Sequence, residues 1–159
     1  MNAKTPLVLR RTMIIALIVF ILDQVTKIFI RRSIPLWGGF QVCPSFSIVH
    51  FQNTGAVFGV FQNGNLILIG VTAAILILLA KLHKDLASQG SWARMGLALL
   101  WGGAFGNFVD RIFVGSVTDF LDVSVKNWHW PAFNVADSAI TVGVFFLLLQ
   151  HFIPADGRS

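Results

Sequence analysis

The chain has no glutamate, and only 12% of its 159 residues carry charge. A soluble domain of this length needs a polar surface, and this composition cannot supply one. Cys43 stands alone, which excludes an internal disulfide and any cysteine-based metal spacing. A nucleophilic thiol there would need a partner, and no histidine accompanies it in sequence. His50, His83, His129 and His151 are scattered without metal-ligand spacing, so no metal or other cofactor is expected. Serine chemistry lacks both G-x-S-x-G and S-x-x-K. The glycines Gly102, Gly103 and Gly106 lie inside an apolar run with no strand before them, which argues against a phosphate-cradling loop. No internal repeat or low-complexity tract is present. The formal charge of +5 does not point to nucleic acid: most basic residues edge the apolar stretches, where they orient spans or meet anionic lipid.

What is present in abundance is apolar. Hydrophobic residues make up 55% of the chain, and the mean hydropathy is +0.74. One membrane-embedded domain over residues 1–159 is the economical reading. A helix needs roughly 20 residues to cross a bilayer, and four stretches qualify: about 12–34, 65–82, 92–114 and 132–153. Lys4, Arg10 and Arg11 before Met13–Leu22 imitate a secretory signal, but no small-x-small site follows, so this run is read as a retained first span. Lys4, Arg10, Arg11, Lys81, Lys84, Arg94 and Arg158 stand against Arg31, Arg32 and Lys126 on the other side, which favours both termini in the cytoplasm. The outward connections are not plain linkers. Phe46–Gln52 alternates as a short half-buried strand would. Residues 115–133 read as an interfacial loop carrying Phe120, Trp128, His129, Trp130 and Phe133. The expected class is therefore an all-α membrane protein with four spans, a small outward β-like segment and an interfacial loop.

All seven acidic residues are aspartates, and several lie in or beside these spans. An ionised carboxylate in hydrocarbon is costly, so a small membrane protein that keeps several is expected to use them. Asp23 and Lys27 are four apart with the acid first, the order that favours a buried, neutralised intrahelical pair. Gly102 and Gly106 form a small-xxx-small pattern for close helix approach. One turn on, Asn107, Asp110 and Arg111 share a helical face. An Asp110–Arg111 pair is the bland reading, with Asn107 and Arg111 left to donate to a peptide carbonyl. Asp119 and Asp122 follow, and spacing does not choose between them. Asn134 with Asp137 three residues on is close to a capping box, and capping and chemistry remain equally open for Asp137. Asn53-Thr-Gly55-Ala reads as a turn. Intramembrane aspartates also suit a small multi-pass transporter or proton relay, although neither repeat symmetry nor interrupted helices accompany them here.

Asp23-Gln-Val-Thr-Lys27, Asn53-Thr-Gly-Ala56, Gly102-Gly-Ala-Phe-Gly-Asn-Phe-Val-Asp-Arg111, Val117-Thr-Asp-Phe120 and Phe133-Asn-Val-Ala-Asp137 occur together and in that order. Each is weak alone; the ordered set resembles the bacterial lipoprotein signal peptidase, or signal peptidase II, family across nearly the whole chain. The resemblance implies a multi-pass aspartic endopeptidase of the bacterial cytoplasmic (inner) membrane, with both termini cytoplasmic and the active site towards the outer face. It implies cleavage of diacylglyceryl-modified prolipoproteins on the amino side of the lipidated cysteine, with no obligate protein partner. By the family pattern the catalytic pair is Asp119 and Asp137. Asn53, Gly55, Asn107, Arg111, Asn134 and Ala136 match positions at the substrate site, and Asp23, Lys27 and Asp110 match supports of fold and site. Val57 and Gly59 depart from the family's usual alanine and serine, which bears on an outward flap over Asn53–Phe61 and not on the chemistry.

Overall fold

In the computed structural model the described residues are 4–55, 64–126 and 128–153. Val57, Gly59 and most of the expected flap lie outside them. In chain order the elements are α1 (Lys4–Ser33), β1 (Gly39–Cys43), β2 (Phe46–Asn53), α2 (Asn65–Ser88), α3 (Ser91–Phe113), β3 (Val117–Val125), β4 (Trp128–His129) and α4 (Val135–Phe152). The four helices fall where the apolar runs predict, α1 and α2 extending further than the runs themselves.

Three helices are long and apolar enough to cross a membrane: Leu9–Ser33, α2 and α4. α3 matches them in length but is less apolar, and its position explains why. It packs against each of the other three helices, whereas α2 touches no other described element. Ala93, Leu97 and Ala98 on α3 are fully buried, while α2 buries only Leu79 and leaves Leu66, Ile67, Val71 and Ile75 outward. A helix enclosed by helices need not be apolar all round; one surrounded by lipid must be. Close approach is built from glycine, as the small-xxx-small pattern predicts. A Cβ on Gly102 would lie 2.6 Å from the Ala16 carbonyl of α1, and one on Gly103 would lie 2.5 Å from the Ala136 carbonyl of α4.

The strands form one antiparallel sheet in the order β1-β2-β3-β4. The alternating stretch is β2, as expected. The all-α expectation and the interfacial loop need correction: residues 117–125 are a nine-residue strand, paired with β2 through Phe51–Asp119, Gln52–Thr118 and Asn53–Val117. Its first four residues are all buried, so no polar–apolar alternation marked it. Gly115, with φ of +81°, turns the chain out of α3 towards this strand. The His50 ring bonds the Ile34 carbonyl at 2.8 Å and ties the sheet to the end of α1.

Candidate active site

The site forms where β3 meets the first turn of α4. Asn134 caps α4: its side-chain oxygen accepts from the Asp137 N–H at 2.9 Å, and the Asp137 carboxylate accepts from the Asn134 N–H at 3.2 Å. With its oxygen so occupied, the Asn134 amide turns its nitrogen the other way and donates to Asp119 Oδ1 at 2.7 Å. The capping box therefore serves the site as well as the helix, because the same amide links the two aspartates.

Two further amides are oriented by the same logic. Asn53 accepts the Gly55 N–H at 3.0 Å, closing a small turn, so its nitrogen faces Asp119 Oδ2 at 3.1 Å. Asn107 accepts from the Lys27 ammonium at 2.8 Å, and an ammonium only donates, so its nitrogen faces Asp137 Oδ1 at 2.8 Å. Every carboxylate oxygen of the pair thus receives a donor.

Asp119 and Asp137 line one cavity of about 1020 Å³, together with Asn53, Gly55, Asn107 and Arg111. Trp37, Trp130, Phe133, Ile140 and Val142 give it an apolar wall. Among the described residues neither aspartate enters an ion pair. Burial, and then the charge of Asp137, push the Asp119 carboxyl up to about 7, against the pull of the Asn53 and Asn134 donors and the Lys27 charge. Asp119 is 4% exposed.

Behind the pair lies a second group of charges. Lys27 holds Asp23 at 2.9 Å and Asp110 at 3.3 Å, all three buried, and Arg31 reaches Asp110 at 3.4 Å. The expected Asp23–Lys27 pair is present. The Asp110–Arg111 pair is not: Asp110 is neutralised from α1, since Arg111 turns towards the cavity and donates to the Gly55 carbonyl at 3.2 Å. Asn107 gives its oxygen to Lys27 and one of its two N–H groups to Asp137. Among the described residues, the buried Nη1 of Arg111 has no partner. Ala136 is fully buried and gives its N–H to Asp23 at 2.9 Å.

Asp119 and Asp122 are three apart on one strand and so face opposite sides. Asp122 bonds the exposed His129 at 3.0 Å, away from the cavity. Sequence reasoning missed Gln24, Thr118 and Asn65, and treated Arg31 only as an orienting charge. Arg31 donates to Thr118 Oγ1 at 2.8 Å, and Asn65 holds the Arg111 carbonyl at 2.9 Å. The spacing of Asp23, Lys27 and Arg31, one turn apart on α1, was the available signal.

A family model described as Signal peptidase (SPase) II matches residues 15–153. The chain belongs to the signal peptidase II family. Curated relatives named lipoprotein signal peptidase agree in length. That of Geobacter metallireducens is 41% identical over 141 residues, covering 86% of this chain and 87% of the relative. That of Paraburkholderia phymatum is 42% identical over 143 residues, covering 86% and 84%. That of Staphylococcus haemolyticus is 34% identical over 149 residues, covering 93% and 94%. A bacterial membrane enzyme solved by the in meso method at 2.3 Å aligns with a TM-score of 0.82 and 33% identity, covering 89% of this chain and 87% of the solved one. A second, at 1.9 Å, aligns with a TM-score of 0.78, covering 89% and 92%. As a member of that family the chain is a peptidase, and the transporter reading is not favoured.

Proposed function

We propose that the chain removes signal peptides from diacylglyceryl-modified prolipoproteins, cutting on the amino side of the lipidated cysteine, with Asp119 and Asp137 as the catalytic pair. The observation that carries this reading is one residue, Asn134, joining two carboxylates at the wall of one cavity: its side-chain nitrogen donates to Asp119 and its backbone N–H to Asp137. Two carboxylates so placed do not both ionise readily, and with Asp119 pushed up to about 7 the pair gives up its shared proton only as pH rises through neutrality.

The ionised member takes a proton from water, whose oxygen attacks the scissile carbonyl. The protonated member hydrogen-bonds that carbonyl as it becomes tetrahedral. A proton then passes to the leaving nitrogen and the C–N bond breaks, releasing the signal peptide's carboxylate and the cysteine's new amine. General acid–base help supplies about 10²–10⁴-fold; the rest comes from positioning and from donors around the developing oxyanion. Arg111, whose Nη1 lies beside the cavity with no partner among the described residues, grips the peptide backbone rather than the reacting carbonyl.

In this reading residues 1–159 are one inner-membrane domain with α3 as a fourth span, both termini cytoplasmic and the site towards the outer face. The substrate's acyl chains lie in the outer half of the bilayer, and their burial contributes about 0.8 kcal/mol per CH₂. Side-chain recognition then need only exclude bulk beside the cysteine. Neither a cofactor nor an obligate protein partner enters the scheme.

Purified protein with a diacylated prolipoprotein in detergent tests it. Asp119→Asn and Asp137→Asn should each abolish cleavage and leave the thermal unfolding transition in place. Cleavage surviving in either folded variant refutes the pair.

A further inference from the structure

Asp23 and Asp110 do something in common that their burial alone does not explain. Asp23 Oδ1 accepts the backbone N–H of Ala136 at 2.9 Å, the residue immediately before Asp137. Asp110 Oδ2 accepts the backbone N–H of Thr118 at 3.2 Å, the residue immediately before Asp119. The two contacts come from different helices, α1 and α3, and reach different elements, α4 and β3. Lys27 joins them. Its ammonium has three protons and meets three acceptors: Asp23 Oδ2 at 2.9 Å, Asp110 Oδ2 at 3.3 Å and Asn107 Oδ1 at 2.8 Å. The third arm continues through Asn107 to Asp137 itself.

We propose that Asp23, Lys27 and Asp110 are positioning residues that set the separation of the two reacting carboxylates, each aspartate holding the peptide N–H that precedes one member and Lys27 fixing the distance between the two holds. This rests on the assignment of Asp119 and Asp137 as the pair. It goes beyond a supporting role for the fold because it places the three side chains in series between the reacting groups.

The chemistry of each residue fits the task. A backbone N–H next to the reacting residue fixes its Cα more firmly than a side-chain contact would. An aspartate has two oxygens, so Asp23 serves the N–H with one and the ammonium with the other. An asparagine there would present a donor to one of two donors. Lysine suits the hub because its three protons diverge; a planar guanidinium at Lys27 would not meet three convergent acceptors. Gly106 leaves room for the arrangement: a Cβ on it would lie 2.5 Å from Asp23 Oδ2. Gln24 bonds Asp23, the Gly106 carbonyl and Asp110, at 3.1, 3.2 and 3.4 Å, and closes the open side.

Steady-state cleavage of a diacylated prolipoprotein by Asp23→Asn, Asp110→Ala and Lys27→Arg in detergent, with unfolding midpoints and rate–pH profiles, tests the proposal. Asp110→Ala decides the matter where the other two fail to fold: it releases the Thr118 N–H and one arm of Lys27, while Asp23 still meets the ammonium. The expected result is kcat lower by about 10²-fold, the loss a misplacement of about 1 Å brings, with KM within about threefold of the parent. The alkaline limb of the rate profile should also move to lower pH, because a wider pair repels less. A folded Asp110→Ala enzyme with parental kcat overturns the proposal, as does a loss of kcat with the limb unmoved. Asp119→Asn and Asp137→Asn run alongside: if they cleave, the assignment of the pair fails; if they do not and Asp110→Ala is fully active, only the positioning role fails.

Discussion

Two groups of aspartates sit a few side chains apart in this protein and are treated in opposite ways. Asp23 and Asp110 lie among helices, and each meets a cation directly. Asp119 and Asp137 face a cavity, and among the described residues they meet amide donors but no cation within ion-pair distance. Amides fix a carboxylate's orientation without cancelling its charge. The first group is therefore locked in ion pairs, while in the second Asp119 is left near the point where it gains or loses a proton at neutral pH. The lesson is that burial alone does not mark a reactive carboxylate in a membrane protein; the kind of partner does.

Lys27→Met is the harshest way to break this contrast. It strips the cation from two buried carboxylates, and removing one partner of a buried pair costs about 3–5 kcal/mol. The expected outcome is a collapsed unfolding midpoint in detergent, or no folded protein.

Next in size is the pH dependence of the reactive group. A carboxyl whose folded value is raised contributes stability that is complete below its unfolded value and lost as pH rises through the folded one, here about 7. The parent's unfolding midpoint should fall from about pH 4 to about pH 7 and level off above it, and Asp119→Asn should flatten that fall. Cleavage should decline as pH rises through about 7, where the pair loses its shared proton. A parental midpoint that stays level from about pH 4 to about pH 7 would mean that Asp119 does not titrate above its ordinary value.

Arg111→Gln is milder. It leaves both groups of aspartates intact and removes a charged donor from the cavity wall. A hydrogen bond to a charged group contributes about 1.5 kcal/mol or more, so KM should rise roughly tenfold with kcat nearly unchanged. An equal fall in kcat would mean that Arg111 acts on the transition state, and the division between gripping and reacting groups would have to be redrawn.

Much of this arrangement was legible in the chain. Helix positions followed from apolar runs, the Asp23–Lys27 pair from a spacing of four, and the close approach of α3 from Gly102 and Gly106. The capping box at Asn134 was legible too, but not its second use, since the other face of that amide meets a strand fifteen residues upstream. β3 went unread because Val117, Thr118, Asp119 and Phe120 are buried on both faces and show no alternation. That cost the choice between Asp119 and Asp122, which strand parity would have made without any resemblance. Asp110 was assigned to the adjacent Arg111 because sequence distance was all there was to weigh; the fold instead brings Lys27 and Arg31 from α1.

The smallest effect falls on Asp122, and it sharpens the contrast from outside. Asp122 lies on the same strand as Asp119 and is also largely buried, at 8% exposed. Residue type, strand and burial are thus nearly matched, and what differs is the face and the partner. The partner is the His129 ring, whose side chain is 61% exposed. An ion pair with so exposed a member contributes about 0–1 kcal/mol. Asp122→Asn should therefore lower the unfolding midpoint by a degree or two at most and leave kcat and KM at parental values, and Cys43→Ser, at an exposed position on β1, should change none of the three. If Asp122→Asn instead removed cleavage while the sheet stayed folded, burial on this strand would matter more than the face it serves, and the contrast between the two kinds of partner would lose its closest control.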